Sequence, residues 1–244
     1  MWKKRNELPG LIKLNIKYDI EKIQSEFKQL EDKDWNACVS GPLEHLRQAY
    51  GGRLSPLAYG GKTNEQIDTG GKDWKQLTYH QMHLTDFDDN FELREKRESG
   101  TKWDRSYMKG DKKYDERAYR KLLEDVPPYI KQIAESLGPN RTRVGMAKVV
   151  AGGGIDPHRD YDTTFSCRYH IAVKTNKESI FGFEKNGKEY EVHIPADGHL
   201  WFVNTGLKHW VYNRNKTEDR THFIVNMDSQ ELLEDATWIE QYGS

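Results

Sequence analysis

Residues 179–213 read SIFGFEKNGKEYEVHIPADGHLWFVNTGLKHWVYN. Four short apolar and aromatic runs, SIFGFE, YEVHI, HLWFV and HWVY, are separated by Asn186-Gly187, by residues 195–198 (PADG) and by residues 204–206 (NTG). Each run is too short for an ordinary helix and is bounded by residues that favour turns. Asn-Gly between two such runs is a strong hairpin signal, because both residues tolerate the positive φ of a tight type I′ turn. The same texture extends in both directions from this stretch. Strands are expected over residues 143–150, 166–173, 179–184, 190–194, 199–203, 209–212 and 221–227. Seven or eight short strands at this spacing close into a barrel or a double-sheet jelly roll. The expected fold is mostly β with α: a double-stranded β-helix (jelly roll, cupin-like) core with a helical and looped N-terminal part.

Upstream of residue 140 the pattern changes to helical and irregular. Asp19 stands as a cap before Ile20, Ile23, Phe27 and Leu30, which recur at helical spacing. Six glycines within residues 51–72 mark a long loop. A helix is expected over 115–124, broken by Pro127-Pro128, and a further short one ends before Gly138. A last helix is expected over 229–241, with Asp228 as cap and Glu231 in a capping-box-like position. The expected division is an N-terminal region 1–140, a catalytic core 141–228 and a C-terminal helix 229–244, together one compact unit.

Composition narrows the function classes. The chain has 244 residues, 35% hydrophobic and 32% charged, with 7 Trp, 13 Tyr and 8 Phe. That much aromatic area argues against disorder. The net charge of −1 lacks the basic excess of nucleic-acid modules, so nucleic acid is disfavoured as a partner. No apolar run is long enough to cross a membrane, and no apolar signal segment follows the basic N-terminus. Cys38 and Cys167 are the only cysteines, which makes no disulfide framework and favours a reducing, cytoplasmic setting.

The chemistry concentrates in three places. His158-Arg159-Asp160 follows a glycine turn, and His-x-Asp on extended chain puts both side chains on one face. His209 begins an expected strand 51 residues later, and a jelly roll brings such distant strands together. Two histidines and one carboxylate form the ligand set of non-haem Fe(II) oxygenases, which leaves metal positions open. Arg220 opens the next strand, and its planar fork suits a carboxylate. Read singly, His209 also fits a strand-end histidine bonded to backbone, and Arg220 fits a surface arginine. The ordered set on barrel-like strands is what points to chemistry.

Four pieces carry a family resemblance: Pro157-His158-Arg159-Asp160, then residues 167–173 (CRYHIAV), then 208–213 (KHWVYN), then 220–228 (RTHFIVNMD). In this order they resemble the catalytic core of Fe(II)- and 2-oxoglutarate-dependent oxygenases. They are most similar to the aspartyl/asparaginyl β-hydroxylase family, and within it to the soluble bacterial branch of proline cis-4-hydroxylase type. The resemblance implies that His158, Asp160 and His209 hold Fe(II), and that Arg220 binds the distal carboxylate of 2-oxoglutarate. It places Arg168 and His170 as further co-substrate contacts, with His222 a weaker pocket candidate. Animal membrane-anchored members lack the carboxylate ligand; this chain has Asp160, which also weighs against halogenation.

The implied reaction uses O2 and converts 2-oxoglutarate to succinate and CO2. It hydroxylates an unactivated carbon of an amino acid or amino-acid-like substrate, free or peptidyl. Arg159, Tyr161, Trp103 and Arg105 are candidate substrate contacts, with the glycine-rich 51–72 region beside them. Two other readings stay open: an oxygenase acting on a nucleotide or nucleic acid, and a non-catalytic cupin-like metal- or small-molecule-binding protein, in which zinc would suit the same ligands. Dependence on 2-oxoglutarate separates them.

Overall fold

A computed structural model describes residues 2–31, 79–91 and 116–244. Its main element is a seven-stranded antiparallel sheet. In spatial order the strands are Trp238–Tyr242 (β13), Leu11–Lys17 (β1), His199–Val203 (β10), Cys167–Lys174 (β7), Arg220–Met227 (β12), Arg141–Val149 (β5) and Tyr79–His83 (β2). A four-stranded sheet follows the order Gly154–His158 (β6), Lys208–Asn213 (β11), Ser179–Lys185 (β8) and Lys188–Val192 (β9). Thr85–Asp86 (β3) and Lys121–Leu122 (β4) make a small separate pair. All seven strands expected from the sequence are present, shifted by no more than two residues at either end.

The large sheet is buried on both faces. On its outer face Tyr169, Ile171, Phe223 and Val225 pack on Ile23, Phe27 and Leu30 of helix α1 (Ile20–Glu31) and on Ile130 and Ile133 of helix α2 (Pro128–Ser136). Helix α1 begins just after Asp19 and α2 ends before Gly138, as the sequence places them. Asp19 Oδ1 accepts the Lys22 amide at 3.1 Å, and proline occupies the first position of α2. The inner face sets Val149, Ala172, Trp201 and Val203 against Phe181, Phe183 and Val211 of the small sheet. This apolar packing fills one end of the space between the sheets. At the other end, alternation along the strands turns Arg168, His170, Arg220, His222 and Asn226 inward instead.

Two local devices shape the small sheet. Asn186 and Gly187 have φ of 53° and 74°, the conformation expected of the β8–β9 hairpin. Gly182 pairs with Trp210, and a Cβ there would sit 2.0 Å from the indole nitrogen. Glycine lets that indole lie on the backbone of the neighbouring strand.

Two expectations need correction. The helix over 115–124 is instead a single 3-10 turn, Glu116–Ala118, followed by β4. The backbone of this segment closes onto its neighbours: Arg143 N donates to Tyr119 O and Leu123 N to Leu84 O. The C-terminal helix over 229–241 is only Glu231–Asp235 (α3), with Gln230 rather than Asp228 at the position before its first turn, and the chain then extends as β13 against β1. Asp228 is drawn away from the cap by Arg120, whose Nη2 donates to it at 2.8 Å. Strands β1, β2 and β13 lie outside residues 141–228 and belong to the same large sheet. Among the described residues no helix is long and apolar enough to cross a membrane.

Candidate metal centre

Strands β6 and β11 pair so that His158 stands opposite His209, with ring centroids 4.2 Å apart. Asp160 lies two residues past the end of β6. Its amide donates to Thr205 O at 2.9 Å, which ties this segment to the turn before β11. The carboxylate thereby reaches both imidazoles: Oδ1 is 3.5 Å from His158 Nε2, and Oδ2 is 3.9 Å from His209 Nε2. One ligand atom from each residue lies within 4.8 Å of the others, a group that could hold a metal ion. The donor set, two imidazoles and one carboxylate, suits a divalent first-row metal. His209 Nδ1 lies 3.1 Å from Leu207 O, and the ring stacks on Phe181 at 5.5 Å. If Nδ1 carries the proton to Leu207, Nε2 is left as a lone pair facing Asp160.

The electrostatics prepare these ligands. Burial pushes the His209 imidazole down to about 4, so it is uncharged at neutral pH. Burial alone would raise Asp160, but Arg168 and the two histidines hold its carboxyl well below the usual range. Arg168 Nη1 donates to Asp160 Oδ2 at 2.5 Å. Its Nε donates to Asn226 Oδ1 at 3.0 Å, and Asn226 Nδ2 donates to Glu116 Oε1 at 3.1 Å. Glu116 Oε2 accepts Arg143 Nη1 at 2.9 Å, and Arg143 Nη2 donates to Gln81 Oε1 at 3.0 Å. A continuous polar chain thus runs from the metal-ligand group to edge strand β2.

Arg220 is buried on the same inner face. Its Nη2 lies 3.0 Å from His222 Nδ1, which lies 3.3 Å from His170 Nδ1. A guanidinium cannot accept, so His222 Nδ1 is the acceptor and His170 Nδ1 the donor to it. This leaves His170 Nε2 as a buried acceptor and His222 Nε2 as a buried donor, both without a partner among the described residues. No carboxylate lies within ion-pair distance of Arg220 among those residues. Burial pushes its pKa down to about 10, which still leaves it charged at neutral pH. Burial and the Arg220 charge hold His170 and His222 well below the ordinary imidazole value.

The structure therefore brings together six expected residues: His158, Asp160, His209, Arg168, His170 and Arg220. Arg159 is exposed, with no hydrogen bond or ion pair to that group among the described residues. Tyr161 is half-buried, its ring 4.6 Å from Phe165. Trp103, Arg105 and the glycine-rich 51–72 region lie outside the described residues. Sequence reasoning missed Asn226, Glu116, Arg143 and Gln81. Asn226 was findable: it continues the two-residue alternation Arg220, His222, Ile224 along one strand. Glu116 and Arg143 carry no such signal, because a turn and a strand of other registers deliver them.

Solved structures share parts of the fold. A vicilin from Solanum melongena is 12% identical over 38% of this chain and 23% of its own, with a TM-score of 0.31. The non-heme alpha-ketoglutarate-dependent epimerase SnoN is 15% identical over 36% of this chain and 46% of its own, at 0.30. An oxalate oxidase is 20% identical over 40% of this chain and 48% of its own, at 0.28. The chain thus spans less than half the length of each. A search of curated protein sequences finds no match. The sequence profile of the aspartyl/asparaginyl beta-hydroxylase family matches residues 64–229, more than half of the chain, and the chain belongs to that family.

Proposed function

We propose that this protein is an Fe(II)- and 2-oxoglutarate-dependent dioxygenase that hydroxylates an unactivated carbon of an amino acid or amino-acid-like substrate. His158, Asp160 and His209 would hold the iron. Arg220 would take the distal carboxylate of 2-oxoglutarate, with His170 beside it and Arg168 bordering the metal end. One observation carries the reading: a buried guanidinium with no carboxylate near it among the described residues, on the inner face that bears the candidate metal-ligand group. A buried charge without a counterion is costly, so Arg220 is poised for an anion from outside the chain. The unpartnered ring nitrogens of His170 and His222 add one acceptor and one donor beside it. These residues fit a small dicarboxylate.

When bound, the iron and co-substrate supply the oxidising chemistry, releasing succinate and CO2. The chain's own contribution is placement. Leu207 orients His209, and Arg168 holds the Asp160 carboxylate ionised and fixed in direction. Aromatic packing by Phe181 and Phe183 closes one side to water. A small-molecule or peptide substrate and a cytoplasmic setting complete the proposal, the latter resting on the two-cysteine composition.

The test is anaerobic titration with Fe(II) and 2-oxoglutarate, following the weak visible charge-transfer band. The wild type is expected to show it, and Asp160→Ala, His209→Ala and Arg220→Ala to lose or weaken it. A folded, metal-loaded wild type without the band would overturn the reading.

A further inference from the structure

The polar chain behind Arg168 ends in a second cation, the half-buried Arg143, whose purpose the metal centre does not explain. Arg143 and Arg168 border one cavity, together with Gln81, His83, Ile224 and Asn226. Arg143 has φ of 40°, a left-handed backbone that long side chains seldom adopt. A residue held there marks a site worth a functional reading. Its guanidinium is held between Glu116 and Gln81.

The charges of this region do not cancel. Arg143, Arg168 and Arg220 are three cations, while Glu116 and Asp160 are two anions. One positive charge is left over among these residues. This inference rests on the reading under Proposed function: a divalent metal and a dianionic co-substrate offset each other, so the surplus persists in the loaded site. Arg220 is then occupied, and the surplus falls to the Arg143–Arg168 side. There the cavity also offers the apolar side chains of Ile224 and Ala147.

We propose that the cavity between Arg143 and Arg168 is the substrate subsite, and that it takes the carboxylate of a small molecule of amino-acid size. Arg168 contacts both the cavity and Asp160. An anion bound there lies one guanidinium away from the metal ligands, which suits a short substrate rather than a long one. Glu116 is the internal occupant of Arg143, and an arriving carboxylate competes with it.

The full chain, loaded anaerobically with Co(II) and 2-oxoglutarate, tests this. The visible Co(II) spectrum and the thermal midpoint are followed while the common L-amino acids are added, as free acids and as their C-terminal amides. At least one free acid is expected to raise the midpoint, with its amide at least about ten-fold weaker, the loss of one charge-assisted hydrogen bond. Arg143→Met is expected to weaken binding by a similar factor, and Arg143→Lys to restore part of it. Glu116→Gln is expected to strengthen binding several-fold, because it removes the internal competitor. Opposite signs for Arg143→Lys or Met and Glu116→Gln distinguish a binding site from a structural ion pair, in which both changes only weaken the protein. Amides that bind as well as acids, no binding by any acid, or weaker binding in Glu116→Gln would each overturn the proposal. The Co(II) spectrum recorded with 2-oxoglutarate alone judges the underlying reading separately. A response there without acid binding overturns the subsite alone.

Discussion

Arg168 and Arg220 stand on neighbouring strands of one sheet and point into the same space, yet their surroundings differ in kind. Arg168 meets the Asp160 carboxylate at 2.5 Å, with Glu116 close behind, and these anions raise its pKa against the effect of burial. Arg220 meets the neutral imidazole of His222, with His170 behind it, and burial pushes it down to about 10. One end of the polar region is thus internally compensated and the other is not. Under the proposed function, the compensated end would hold the Asp160 carboxylate in place for the metal. The uncompensated end would have its charge completed by the co-substrate carboxylate.

The largest expected effect breaks the compensated end. Asp160→Ala removes a ligand and leaves Arg168 without its carboxylate. Fe(II) affinity measured by anaerobic titration is expected to fall at least about 100-fold, the range seen for disrupted metal ligation. Next come matched replacements of the two arginines. Arg168→Met is expected to destabilise the metal-free protein by about 1–3 kcal/mol, since it strands a partly buried carboxylate. Arg220→Met is expected to leave that protein as stable or make it more so, because it deletes an uncompensated charge. The same substitution is expected to cost most of the affinity for 2-oxoglutarate. Urea unfolding of the two variants side by side decides this, and equal destabilisation would end the comparison.

Acid sharpens it further. His170, His209 and His222 all have proton affinities lowered by burial, His209 to about 4. Their unfolded value is about 6.5. The stability they contribute is complete above that pH and is lost as pH falls below it, because the unfolded chain takes up protons the native state refuses. Each group adds a slope of up to ~1.4 kcal/mol per pH unit. Metal-free protein is therefore expected to melt at a lower temperature at pH 5.5 than at pH 7.5. His222→Phe is expected to flatten that dependence. The smallest effect belongs to an exposed arginine, Arg214, which donates to Glu191 at 2.6 Å on the surface. Arg214→Met is expected to shift stability by less than about 1 kcal/mol, showing that burial rather than pairing alone decides the outcome.

The contrast between arginines also explains what was legible in the sequence. Strands in residues 141–227 announce themselves by alternation and by turn residues such as Asn186-Gly187. The candidate metal-ligand residues lie within those strands or just beyond them, so His158, Asp160 and His209 could be read off in order. β1 was missed because LIKLNIK alternates weakly and its neighbour is far away in sequence. The tail 229–241 looked helical because GlnGluLeuLeuGluAsp is helix-forming on its own, and only pairing with β1 overrides that preference after Asp235. Glu116 and Arg143 were invisible for the same reason. Their roles come from tertiary neighbours, not from local period.

The pairing of Leu11 with Val203 also governs how the protein is made. The ribosome releases β1 first, at roughly 5–20 residues per second, so its partner strand follows on the order of 10–40 s later. Throughout that delay a segment carrying Leu11, Ile12 and Leu14, each wholly buried in the finished fold, has no sheet to join. A nascent chain of this kind keeps an apolar segment exposed for that interval, and slower translation lengthens the exposure.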